Sequence, residues 1–154
     1  MTGKIEARLS ERNIVLPAAS APAANYVPTV RTGNLLFISG QIPVQDGKIT
    51  HTGKLGEEYA VEDGYAAART CALNIVAQAK AALGDLDKVV RVVKLVGFVN
   101  GVPSFPDAPK VINGASDLMA EIFGDSGSHA RSAVTVASLP MGVAVEVEAI
   151  IEVA

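Results

Sequence analysis

Val143-Ala144-Val145-Glu146-Val147-Glu148-Ala149-Ile150-Ile151-Glu152-Val153 closes the chain with an alternation of period two. In an extended strand, Val143, Val145, Val147, Ala149, Ile151 and Val153 share one side. Glu146, Glu148 and Glu152 share the other with Ala144 and Ile150. The aliphatic side requires a cover of helices. A second stretch, residues 89–99, is apolar on both alternations: Val89, Val93, Leu95 and Val99 on one side, Val90, Val92, Val96 and Phe98 on the other. A strand of that kind is covered on both faces. With the helices used on one face, a second copy of the chain is the natural cover for the other. The two stretches together predict an oligomer with carboxylates at or near its interface.

Working outward, Val61, Tyr65, Ala68, Ala72, Ile75, Ala79 and Leu83 recur at helical spacing, which predicts a helix over 60–83 with Gly84 as its left-handed cap. A second helix starts from Asp107 as N-cap with Pro109 in its first turn, buries Val111, Ile112, Ala115, Leu118, Met119 and Ile122, and ends at Gly124. Residues 4–13 predict a short charged helix. Residues 26–31 and 35–41 predict two strands joined at Gly33-Asn34, and Asp46-Gly47 marks a hairpin with a short strand at Lys48-Ile49. Residues 133–137 and 143–153 are the last two strands, on either side of a Leu139-Pro140-Met141-Gly142 corner. The order β-β-β-α-β-α-β-β describes an α+β fold, one mixed sheet with two helices on one face. No repeat or linker divides residues 1–154, so one domain is expected, with residues 1–22 as an N-terminal extension packed on it.

The 154 residues suffice for one domain with a real core, and at 49% hydrophobic but 5% aromatic that core is built from small aliphatic side chains. Thirteen basic against 16 acidic residues give a net charge of −3, without the electrostatic footprint of a nucleic-acid binder. Cys71 stands alone, so no internal disulfide forms. Residues 1–12 scatter Lys4, Glu6, Arg8, Glu11 and Arg12 where a signal peptide has an apolar run, and residues 89–99 are too short to span a bilayer. A cytoplasmic protein without membrane contact is expected. His51, His129 and Cys71 share no metal-ligand spacing, and neither a Walker loop nor a GxGxxG fingerprint is present. Gly124-Asp125-Ser126-Gly127-Ser128 resembles a protease nucleophile loop, but the chain is too short for the double barrel of those enzymes and no partners are placed upstream. It reads as a polar loop after a helix.

Ala130-Arg131-Ser132-Ala133-Val134, the Leu139-Pro140 corner and Val145-Glu146-Val147-Glu148-Ala149-Ile150 follow one another in fixed order, with Ile38-Ser39-Gly40-Gln41-Ile42-Pro43 upstream. This combination resembles the signature of the Rid (YjgF-type) family of reactive-intermediate deaminases, and the order of elements matches from about Tyr26 to the C-terminus. The resemblance implies a chorismate-mutase-like fold whose sheets line the barrel of a homotrimer, with active sites between subunits. It also implies hydrolysis of 2-imino acids such as 2-iminopropanoate and 2-iminobutanoate to 2-keto acids and ammonia. No metal or organic cofactor is implied.

The family pattern carries residue by residue onto this chain. Arg131 matches the arginine that holds the substrate carboxylate; outside the motif it would read as half of a surface ion pair. A guanidinium suits the task because its planar fork holds a carboxylate through two parallel hydrogen bonds. Glu146 matches the acidic residue beside the attacking water, with Glu148 on the same face as the fallback; the plain alternative is a solvated strand glutamate. Gly40 aligns with a glycine whose backbone approaches substrate, or simply marks a bulge. Tyr26 aligns with a pocket tyrosine and Asn113 with a pocket asparagine. Ala133 stands where the family often has cysteine, so any role there belongs to the main chain. His129 replaces a proline and has no assigned role. Two rivals to the deaminase are a non-catalytic regulator that binds small carboxylates in the same clefts and, against the charge balance, an endoribonuclease.

Overall fold

The computed structural model describes residues 3–154, so Met1 and Thr2 of the expected N-terminal extension lie outside the described residues. The elements are α1 (Lys4–Glu11), β1 (Thr29–Thr32), β2 (Leu35–Gln41), β3 (Val44–Gln45), β4 (Lys48–Ile49), α2 (Val61–Leu83), β5 (Val89–Asn100), α3 (Ala108–Phe123), β6 (Ala130–Val136) and β7 (Val145–Val153). Five strands form a mixed sheet in the order β1-β2-β7-β5-β6. Only the β5–β6 pair is parallel, because α3 carries the chain back across the sheet between them.

β7 lies at the centre and its residues alternate strictly between buried and half-buried. Val145, Val147, Ala149, Ile151 and Val153 point at α2 and α3, as the alternation predicts. Both helices end where expected, α2 at Gly84 with φ 77° and α3 at Gly124. α2 meets the sheet and α3 through Ala67, Ala68, Cys71, Ala72 and Ala79, whose small side chains let backbones approach closely, and through the larger Ile75 and Val76. α3 contributes Val111, Ile112, Leu118, Met119 and Ile122, all without solvent exposure. Burying each of these larger side chains stabilises the fold by about 1.5–3 kcal/mol. α1 docks by a different device: the Asp87 carboxylate accepts from the backbone N–H of Lys4 and of Ile5, both at 2.8 Å, and so caps the helix from outside its own segment. These bonds hold the Asp87 carboxyl below its ordinary pKa.

Five details differ from the expectation. β6 starts at Ala130, three residues earlier than expected, so that Arg131 lies within the strand. β1 starts at Thr29 and leaves Tyr26 in a loop, since the pairing with β2 ends where Ser39 N–H donates to Pro28 O. Lys48-Ile49 pairs with Val44-Gln45 in a separate ribbon instead of joining the main sheet. Residues 143–144 precede β7, where Val143 bridges to Thr52 and Ala144 is fully buried. In β5, register shifts beside Val90 and Val93 put Val92 on the same buried face as Leu95 and Val99, not opposite them. No helix among the described residues is long and apolar enough to cross a membrane.

Candidate active site

On the sheet face away from the helices, Glu146 lies beside Phe98 of β5. Its other neighbour, β2, loses register between Ile38 and Gln41, and this bulge brings Gly40 against the glutamate. The approach is so close that a Cβ at Gly40 would overlap the Glu146 carboxylate. A side chain at that position fits only if the carboxylate moves aside. A cavity of about 520 Å³ opens at this point. Tyr26, Gly40, Pro140, Met141, Glu146 and Glu148 are among its lining residues. Burial raises the pKa of Glu146 above the ordinary glutamate value, and the charge of Glu148 raises it further. No described residue donates a hydrogen bond to its carboxylate.

The loop over this cavity is tied down at both ends. Gln78 Nε2 donates to Ser20 O at 2.7 Å, and Ser39 Oγ donates to Val27 O at 2.9 Å. Gln78 also reaches Gln41 Oε1 at 3.5 Å, and Gln41 Nε2 donates to Ser39 O at 2.9 Å. These two buried amides make a polar floor under the pocket.

A second cluster stands on the other side of the sheet. Arg131 is in register with Leu95, on the face that packs on the helices. Its Nη1 donates to Asn113 Oδ1 at 2.8 Å and to Ser116 Oγ at 3.2 Å, both on α3. Ser116 Oγ lies 2.8 Å from His129 Nε2, and His129 Nδ1 lies 2.6 Å from Gly127 O. Ala133, opposite Gly97, packs its methyl group against the core. Arg131 has no acidic partner among the ion pairs of the described residues.

The residues singled out from sequence therefore form two groups: Tyr26, Gly40 and Glu146 in one, Arg131, Asn113 and Ala133 in the other. Through the β6–β5–β7 register, the backbones of Arg131 and Glu146 are separated by two strand spacings, about 10 Å, and three residues along, about 10 Å more. Their side chains also point to opposite faces. One chain cannot bring the groups together.

The same architecture is found elsewhere. A family profile described as "YjgF/chorismate mutase-like, putative endoribonuclease" matches residues 6–153. The chain belongs to the YjgF/Rid family. It is 54% identical over 152 residues to protein TCP17 of Trypanosoma cruzi, covering 98% of this chain and 95% of the relative. A crystal structure named as a putative endoribonuclease from Shewanella oneidensis MR-1 superimposes with a TM-score of 0.95 at 38% identity, covering 98% of this chain and 100% of that one. At 30% identity over 143 residues, 92% of this chain and 95% of the relative, it is similar to a 2-iminobutanoate/2-iminopropanoate deaminase of Dermatophagoides farinae.

Within this YjgF/Rid chain, sequence reasoning found the paired Gly40 and Glu146 but missed Gln41, Gln78 and Ser116. Gln78 carries a usable signal, an amide between Ala77 and Ala79 and one turn after Asn74, which is buried too. Gln41 lay inside the quoted Ser39-Gly40-Gln41 motif and was passed over. Ser116 gave no signal, because its partners lie 13 and 15 residues away.

Proposed function

We propose that this protein hydrolyses 2-imino acids to 2-keto acids and ammonia, at sites assembled between subunits of a homotrimer in the cytoplasm. The observation that carries this reading is Glu146: a half-buried carboxylate of raised pKa, facing a cavity, beside a glycine whose missing side chain makes room for that carboxylate. A carboxylate whose pKa is raised in this way is a stronger base than a free glutamate, and it can return the proton as an acid later in the reaction. The deaminase named among the relatives supports the same chemistry.

In the proposed reaction, Arg131 of one subunit holds the carboxylate of a protonated 2-imino acid in the Glu146 cavity of the next. Ionised Glu146 takes a proton from water as its oxygen attacks C2, giving a carbinolamine. The carboxylic acid so formed protonates the amino group. The C–N bond then breaks as the hydroxyl proton returns to Glu146 and passes to the departing ammonia, so that a 2-keto acid and ammonium leave. Tyr26 and Gly40 shape the wall, and Asn113 fixes the guanidinium. No step requires a metal or an organic cofactor.

Assembly in this way suits the exposed face of the sheet. Val30 is 54%, Phe37 42% and Val134 46% exposed there, an apolar surface that a second copy would cover. The endoribonuclease in the family description is the second reading; a net charge of −3 weighs against it, and tight, salt-sensitive RNA binding would favour it.

The test generates 2-imino acids in place with an amino-acid oxidase and follows semicarbazone formation. The protein should divert the imine from the trap. Arg131→Ala should lose about 2–5 kcal/mol of transition-state binding, a rate loss of tens- to thousands-fold. An Arg131→Ala variant with full activity and unchanged assembly would sink the assignment.

A further inference from the structure

Beyond Asn113, two residues that have no part in the proposed chemistry converge on Arg131. We infer that Ser116 and His129 are positioning residues, which clamp one edge of the Arg131 guanidinium and leave its other edge as the receptor for a 2-keto or 2-imino carboxylate. This inference rests on the reading of Arg131 as the carboxylate anchor.

With the His129 ring taken as neutral, the direction of each hydrogen bond in the cluster follows from its fixed end. Gly127 O can only accept, so His129 Nδ1, at 2.6 Å, carries the hydrogen. Nε2 of the neutral ring is then an acceptor, and the Ser116 hydroxyl, at 2.8 Å, donates to it. Arg131 can only donate, so Ser116 Oγ receives Nη1 at 3.2 Å through its lone pair. Asn113 Oδ1 takes the second Nη1 hydrogen at 2.8 Å. Both Nη1 hydrogens are committed. The Nε and Nη2 hydrogens point side by side along the remaining edge, the geometry that matches the two oxygens of a carboxylate.

His129 matters here because a serine within a helix has a competing partner. Its hydroxyl commonly turns to the carbonyl four residues earlier, here Ile112 O, which would carry the oxygen away from its present orientation. His129 claims that hydrogen and holds the serine toward Arg131. The anchor of the relay is itself rigid. Gly127 is buried, and its turn is pressed so closely on α3 that a Cβ there would overlap the Met119 carbonyl.

The experiment measures binding of a 2-keto acid, 2-oxobutanoate, by calorimetry, together with kcat and KM for 2-iminobutanoate, in wild type, Ser116→Ala, His129→Ala, His129→Gln and Arg131→Ala. Ser116→Ala and His129→Ala should each weaken 2-oxobutanoate binding and raise KM by about 3- to 10-fold, the size of one ordinary hydrogen bond and the scale expected of an effect passed on through the guanidinium, with kcat little changed. Binding of 2-oxobutanamide, which lacks the charge, should stay at its wild-type level in both. His129→Gln should recover most of the loss, since its amide oxygen can accept the Ser116 hydroxyl. Ser116→Ala removes only one oxygen and decides the matter if His129→Ala unfolds. Should Ser116→Ala and His129→Ala both match wild type in 2-oxobutanoate affinity while Arg131→Ala loses it, the positioning role falls and the anchor stands. Should Arg131→Ala bind as wild type does, or should wild type itself not bind, anchor and clamp fall together. The calorimetric arm reads the clamp even where turnover is absent.

Discussion

Glu146 is held at a cost that a surface glutamate escapes. Burial and the neighbouring Glu148 both disfavour its charge, so its folded pKa lies above its unfolded one. The folded state therefore binds this proton more tightly than the unfolded chain does, and stability falls as pH rises from the ordinary glutamate range through the raised value. Glu146→Gln should accordingly raise the melting temperature at neutral pH, with the gain vanishing below the ordinary glutamate range, while imine turnover falls roughly 10²–10⁴-fold. A variant that loses activity without gaining stability would argue against burial as the origin of the shift. Removing the like charge next to it has the opposite sign for the reaction: Glu148→Gln should lower the pKa of Glu146 and move the acid limb of the kcat/KM profile to lower pH. At this scale the sequence was readable where chemistry sits in a motif. Glu146 beside Gly40, and Arg131, stood in recognisable strings. Ser116 did not, because a serine in a helix looks the same whether it bonds its own backbone or a distant arginine.

The bulge in β2 is the element on which the pocket depends. It turns Gly40 toward β7 and leaves no room for a side chain between them. The atoms that a Cβ would meet belong to the outer part of the Glu146 side chain, which can swing aside, and Gly40 has no φ that excludes alanine. Gly40→Ala should therefore separate two readouts. Displacement of the carboxylate by about 1 Å should lower activity on the order of 10²-fold, while the unfolding midpoint moves little. A large loss of stability with retained activity would mean that the glycine serves the strand and not the site. Helices were easier to foresee than such irregularities. A period of 3.6 over 23 residues of α2 leaves few alternatives. The register shifts in β5 show only in Arg91 and Lys94, which share the open face although they are three residues apart; the valines around them read the same on either face, so a strict alternation puts Val92 on the wrong side. The shortened β1 has a similar origin: Tyr26 has strand propensity, but pairing stops at Pro28, and the loop is held by Gln78 and Ser39 from other elements.

On the scale of the whole molecule, the sheet separates Arg131 from Glu146, and the proposed reaction needs both within reach of one small substrate. Only a second copy supplies that arrangement. The expectation of an oligomer came from counting covers: β5 and β7 expose Val96, Phe98 and Ile150 on the face that the helices leave open, and the structure adds Val30, Phe37 and Val134 to it. Mixing tests the arrangement directly. Arg131→Ala and Glu146→Gln are each expected to be nearly inactive. Unfolded together at equal concentration and refolded, they form mixed trimers in which a site drawing its arginine from one variant and its glutamate from the other is intact. Random assembly makes about a quarter of all sites intact in a cyclic trimer, so about a quarter of wild-type activity should return, while each variant refolded alone stays inactive. Sites contained within one chain would recover nothing, because every chain in the mixture lacks one of the two groups. Phe37→Lys, placed on the open face and away from both clusters, should then dissociate the assembly and abolish turnover together, with the subunits still folded; a dissociated yet fully active variant would return the site to the single chain.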